Sequence, residues 1–243
     1  MLRLTLSVNG VCVRCSCQCQ DVTMIRESKS THHEFLLFED STRPVRFWLE
    51  ELGPDQWVRR KDQTLWEELF FFEGMLSLNG RPLRDGYFCL PPGKPISSVK
   101  TAGGKASLLR MLHKDHSVLQ STSVNPIEPT PKGELVWNEI PARRQHDPGG
   151  RVAELFRNES GKQITSLMEC RPGWVLEDHE HPSDVFPFCI RGGGRLSLGD
   201  RTISLIEKQL VLIPAGTRHR FETGQQGALF IIFVFEFLAG RNT

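Results

Sequence analysis

Short runs rich in Val, Leu, Phe and Thr alternate with Gly, Pro, Asn-Gly and Gly-Asp signals at intervals of roughly ten residues along most of the chain. That rhythm predicts strands joined by tight turns, and hence a sandwich or barrel. Helical periodicity is weak. The stretch from Gln63 to Phe71 is ambiguous by periodicity, but the Phe70-Phe71-Phe72 run suits a buried strand. The longest apolar stretch, Ala228 to Phe235, is strand-sized and followed by Glu236, too short to span a bilayer.

One segment breaks the rhythm. Leu119 to Glu134, LQSTSVNPIEPTPKGE, is rich in Ser, Thr and Pro and poor in core residues, which predicts a linker over 119–134. It divides the chain into an N-terminal domain over 23–118, preceded by a poorly defined Cys-rich segment over 1–22, and a C-terminal domain over 135–243. Laid on the first half without gaps, the second sets Gly173 on Gly53, Gly194 on Gly74 and Leu196-Ser197-Leu198 on Leu76-Ser77-Leu78. After a short insertion, Pro214 falls on Pro91, Gly216 on Gly93 and Gly227 on Gly104. Agreement of turn residues and strand patterns over this length points to a tandem duplication.

The second half carries the chemistry. His179 and His181 are separated by one residue, and on a strand such side chains project to one face. His219 follows a proline–glycine turn on a neighbouring strand and can complete a facial set with open coordination positions. Gly173, His179, His181 and Gly192 resemble the first signature motif of the cupin superfamily, and Pro214, Gly216 and His219 resemble the second. The resemblance covers both halves and implies an all-β bicupin, two tandem jelly-roll β-barrel domains. It also implies one divalent metal per chain, Fe(II) before Zn, Mn or Ni.

The chain departs from the family at one position. Where cupins place a glutamate ligand, it has Val185 or Phe186, which leaves a three-histidine site similar to that of some cupin thiol dioxygenases. Asp184, one residue early, could substitute only through a register slip, which turns a strand side chain to the opposite face. In the first half the alignment sets Arg59, Lys61 and Ile96 on the three histidines, so that barrel is expected to be metal-free and structural, with anion binding by Arg59 and Lys61 as the sharper alternative. His32, His33, His113, His116 and His146 lack motif register and are expected at the surface or in the linker.

Strand alternation then names the rest of the pocket. Glu177 falls on the face of His179, as general base or as a partner orienting an imidazole, with a salt bridge to Arg191 as the plainer role. Cys189 and Arg191 fall on the face of Val185, and Phe221 on that of His219. Arg191 could clamp a substrate carboxylate or sit at the rim, and Cys189 is by default a small buried hydrophobe.

Composition narrows the setting. Lys+Arg of 30 against Asp+Glu of 29 gives no bulk drive toward nucleic acid or anionic membrane. The 7 cysteines are an odd count without a readable secretory signal, which argues against a disulfide framework and for a cytoplasmic protein. The Cys12, Cys15, Cys17 and Cys19 cluster lacks a second pair at zinc-finger spacing. Cupins often pair through sheet edges, so the resemblance admits a homodimer. The expected activity is that of a mononuclear metal-dependent dioxygenase on a small polar or acidic substrate. The alternatives are a metal-assisted isomerase, lyase or decarboxylase, and a non-catalytic metal- or ligand-sensing bicupin.

Overall fold

The computed structural model describes residues 32–84, 86–96, 99–114, 135–140, 149–158 and 161–236. The N-terminal cysteine cluster, the predicted linker, His116 and His146 lie outside the described residues. Among the described residues every regular element is a strand, and no helix is long and apolar enough to cross a membrane. Two compact units meet in sequence at Glu134 and Leu135.

The first unit holds β1 (His33–Asp40), β2 (Arg43–Leu52), β3 (Trp66–Leu78), β4 (Arg81–Leu83), β5 (Gly86–Leu90) and β6 (Val99–His113). They join in the order β1-β2-β6-β3-β4, with β5 on β3. The second unit holds β7 (Asn138–Ile140), β8 (Gly150–Arg157), β9 (Gln163–Cys170), β10 (Val175–His179), β11 (Asp184–Leu198), β12 (Arg201–Ile206) and β13 (His219–Phe235). Their order is β12-β11-β13-β9-β8-β7, with β10 on β13. Traced from β4, the first sheet follows the same path as the second traced from β12, so the repeat read from glycines and prolines is a repeat of topology.

The phenylalanine run lies in β3, with Phe70 and Phe71 buried, and the Ala228–Phe235 stretch lies in β13. Leu69, Phe71, Leu108 and Val99 centre the first core; Val185, Leu196, Phe221 and Phe230 centre the second. Each such side chain contributes about 1.5–3 kcal/mol on burial. Cys89, Cys170 and Cys189 are buried and form no disulfide.

Register refines the alignment between the repeats. Leu198 faces His219 across the sheet and Leu78 faces Val99, so Val99, not Ile96, takes the place of His219. Val58 donates its N–H to the Val99 carbonyl at 2.9 Å, and both side chains are buried in the first core where the second barrel sets His179 beside His219. Arg59 is exposed. Lys61 is paired with Glu34, lies 3.6 Å from Glu50 and sits over the Trp48 ring. The alternative of an anion pocket made by Arg59 and Lys61 therefore fails, because one points to solvent and the other is neutralised.

The first interior is instead ionic at one end. Arg110, 1% exposed, donates through Nε to Glu50 at 2.5 Å and through a terminal nitrogen to the same carboxylate at 3.0 Å. Its other terminal nitrogen meets Glu67, which also lies 3.4 Å from Arg60. Burial alone would raise the Glu50 carboxyl; Arg110, His32 and Lys61 overcome it and hold the group down at about 2. On the opposite face of the sheet, His113 is also buried, which corrects its expected surface placement. β6 runs on to His113 and pairs it with Trp66, bringing its Nε2 within 3.2 Å of Glu68, while Tyr87 donates its hydroxyl proton to Glu68 at 2.5 Å.

Candidate metal centre

Two strands and one turn deliver the three histidines. His179 is the last residue of β10, and His219, the first of β13, is its cross-strand partner. His181 lies two residues beyond the strand end and is held from the other side. Its carbonyl accepts the Gly216 N–H at 2.8 Å. Gly216 has φ +70°, a left-handed conformation that a side chain would strain, so the turn needs glycine there. Asp184 accepts the neighbouring Ala215 N–H at 2.7 Å, so the turn is tied down at both ends of the loop between His181 and β11.

The rings converge. Nε2 of His179 lies 3.1 Å from Nε2 of His181, and the His179 and His219 ring centres are 4.2 Å apart. One ring nitrogen from each residue falls within 4.8 Å of the others. His179 Nδ1 donates to the Glu177 carbonyl at 2.7 Å, and His219 Nδ1 donates to the Thr217 carbonyl at 2.8 Å. A carbonyl only accepts, so each Nδ1 carries a proton and the Nε2 of the neutral ring keeps its lone pair. Burial lowers the pKa of His181 and of His219; His179 and His219 add to the effect on His181, and at His219 burial and His179 outweigh the Thr217 carbonyl and Asp178.

These donors fit a divalent cation. Two imidazole nitrogens about 2.1 Å from one ion at roughly a right angle stand about 3 Å apart, the separation found between His179 and His181. Without a cation, nitrogen atoms this close need one proton between them. The i−2 carbonyls that fix the rings were not foreseen from sequence, since a backbone acceptor leaves no residue signature.

The remaining expected pocket residues divide. Phe221 is buried on the face of His219, edge-on to Phe230 at 5.1 Å. Cys189 is fully buried, and desolvation pushes its thiol up to about 12, the signature of a packing residue. Glu177 is half-buried and lies 3.7 Å from Arg220, not from Arg191, on the outer face of the sheet. Its expected place on the face of His179 is corrected by a bulge: Leu176 pairs with Phe221 and His179 with His219, a step of three residues against two. The Arg191 side chain is 68% exposed and lies 3.6 Å from Glu169, so its expected place inside the barrel is corrected. The cause is a bulge: Cys189 pairs with Phe230 and Arg191 with Leu229, a step of two residues against one, which reverses the face. Asp184 does not replace the missing glutamate, because its carboxylate is engaged by the Ala215 N–H and lies outside the three-nitrogen group.

His32, Glu34 and Glu50 form a second group with metal-ligand donors. Lys61 and Arg110 already neutralise its carboxylates, so this group is an ion-pair cluster that runs from the exposed Glu34 to the buried Glu50.

Residues 166–235 match the cupin domain family. No curated protein matches the chain. Among solved structures, a candidate dioxygenase from Nostoc punctiforme is 17% identical, with 87% of this chain and 76% of that one covered at a TM-score of 0.63. Oxalate decarboxylase of Lactobacillus farciminis is 16% identical, covering 89% and 85% at a TM-score of 0.61. YlbA of E. coli is 12% identical, covering 86% of each chain at a TM-score of 0.66. At these identities the likeness is one of fold. The cupin domain is thus matched in the second unit, the first repeats its strand path, and the signature histidines lie in the second alone.

Proposed function

We propose that the second barrel holds one divalent ion on His179, His181 and His219, and that the chain is a metal-dependent oxygenase of a small polar or acidic substrate, with iron(II) as its ion. The observation that carries this reading is the convergence of three imidazoles, two of them locked by the backbone carbonyl two residues earlier with Nε2 left to coordinate. A bound iron ion would supply Lewis acidity and redox chemistry toward dioxygen. Three protein donors leave positions for other ligands, which favours a reactive site over a closed structural one. The chain's own contribution is to orient the rings and to surround them on one side with Val185 and Phe221, which exclude water.

A second reading, non-catalytic sensing of a metal or ligand, draws on a specific observation: Arg191 points outward and Cys189 is an inert thiol, so two of the expected substrate contacts are missing. Dioxygen uptake by the iron-loaded protein, measured over a panel of small carboxylic acids and thiols, separates the two. Substrate-dependent uptake lost in His219→Ala supports the oxygenase. A tightly held ion that stays inert with every compound supports sensing.

A further inference from the structure

The arginine that leaves the barrel interior does not stand alone. Arg191, Arg171 and Arg151 line a cleft of about 310 Å³ in the second unit that shares no lining residue with the three histidines. Its floor is made of small side chains, Gly150, Cys170 and Ala228. A Cβ added to Gly150 would come within 3.1 Å of the Glu169 carbonyl oxygen, so a larger residue there would press on the floor.

The charges in this cleft do not balance. Glu169 takes a 2.6 Å hydrogen bond from Arg151 and holds Arg191 only at 3.6 Å. Arg171 reaches its carboxylate, Glu139, only at 3.9 Å, with both side chains largely exposed. Three guanidiniums against two carboxylates leave one positive charge in excess. Arg151 is anchored further by packing on the Trp137 ring at 4.4 Å, so it forms a fixed wall. Arg171 and Arg191, 62% and 68% exposed and more than hydrogen-bond distance from their carboxylates, have donors to offer. Their planar forks match carboxylate geometry, and the volume lies at the lower end of the range for small-molecule sites.

We propose that this cleft is a binding site for a small dicarboxylate, with Arg171 and Arg191 each taking one carboxylate while Arg151 holds Glu169. The site is separate from the metal centre and works whether or not an ion is bound there.

Titration calorimetry on the full chain with succinate tests this, with inorganic phosphate as a parallel probe and His179→Ala as a second background. Saturable succinate binding is expected, weakened about tenfold by either Arg171→Ala or Arg191→Ala, which is the loss of one charge-assisted pair. Glu169→Gln, which removes the competing carboxylate, is expected to tighten binding severalfold, a gain that a misfolded variant could not produce. His179→Ala should bind as the unaltered chain does. Absence of succinate binding overturns the proposal, as do equal affinity in the arginine variants, loss of binding in His179→Ala, and phosphate binding tighter than succinate.

Discussion

The two barrels share one strand path but solve the problem of a polar interior in opposite ways. In the second, three imidazoles converge their ring nitrogens on one point and call for a cation from outside. In the first, the cations are built in: Arg60 and Arg110 lie against Glu50 and Glu67. The register makes the exchange specific. Val185 pairs with Ile213 as Glu67 pairs with Leu90, each partner directly before a proline of the matching turn. The carboxylate missing from the metal barrel is thus present in the other, at the equivalent position, held by guanidiniums. Arg60 also donates to the Pro91 carbonyl at 2.7 Å, tying down the turn that matches the one His181 ties down in the second barrel. One repeat carries the imidazoles without the acid; the other carries the acid, answered by its own side chains. What the comparison teaches is that a barrel of this fold tolerates a charged interior when every charge is answered, and the answer need not be a metal.

Breaking the built-in cation should have the largest effect. Arg110→Met leaves Glu50 and Glu67 buried with much of their compensation gone and is expected to cost about 3–5 kcal/mol in urea unfolding followed by tryptophan fluorescence. A loss under about 1 kcal/mol would show that the network is not what balances this interior.

The pH dependence of the same network is the next test. Glu50 is held at about 2 against an ordinary 4.5, so the folded state favours its ionised form. Its contribution, on the order of 3 kcal/mol, is present above the ordinary value and lost as pH falls from there through about 2. Acid unfolding of Glu50→Gln should lack this component and begin from a lower stability at neutral pH.

Restoring the acid to the metal barrel sharpens the contrast. Val185→Glu places a carboxylate in a site buried to 6% exposure and is expected to destabilise the metal-free protein by about 1–3 kcal/mol. Metal loading should then raise the melting temperature more in the variant than in the unaltered chain. The smallest effect is expected at Glu177→Gln, whose partly exposed pair with Arg220 contributes under about 1 kcal/mol to stability. Dioxygen uptake is expected to be unchanged, because the pair lies on the face away from the histidines; a large fall without a matching loss of melting temperature would contradict that placement.

What could be read from sequence follows from the kind of signal each feature leaves. Strands, turns and the duplication are written in alternation and in Gly and Pro, and the three histidines stand in a motif whose spacing survives folding. The errors gather at bulges and insertions. Alternation alone placed Arg191 inside, but the bulge after Cys189 reverses the face, and no residue type announces a bulge unambiguously. The glycines that follow show why the strand bends there: a Cβ on Gly193 would lie 2.2 Å from the Leu205 carbonyl oxygen. The same region hides the equivalence of Glu67 and Val185, which ungapped alignment misses because the repeats differ in length across it. The burial of His113 depends on Glu68 and Trp66 meeting it from β3, a long-range fact that local pattern does not contain.

The central claim is that the second barrel binds an ion through three converging imidazoles. Elemental analysis of freshly purified protein, repeated after loading with iron, zinc, manganese or nickel and on the His179→Ala variant, tests it most directly. The account predicts one divalent ion per unaltered chain and close to none in the variant. An unaltered chain that stays empty after every loading, or a variant that keeps the full complement, would contradict it.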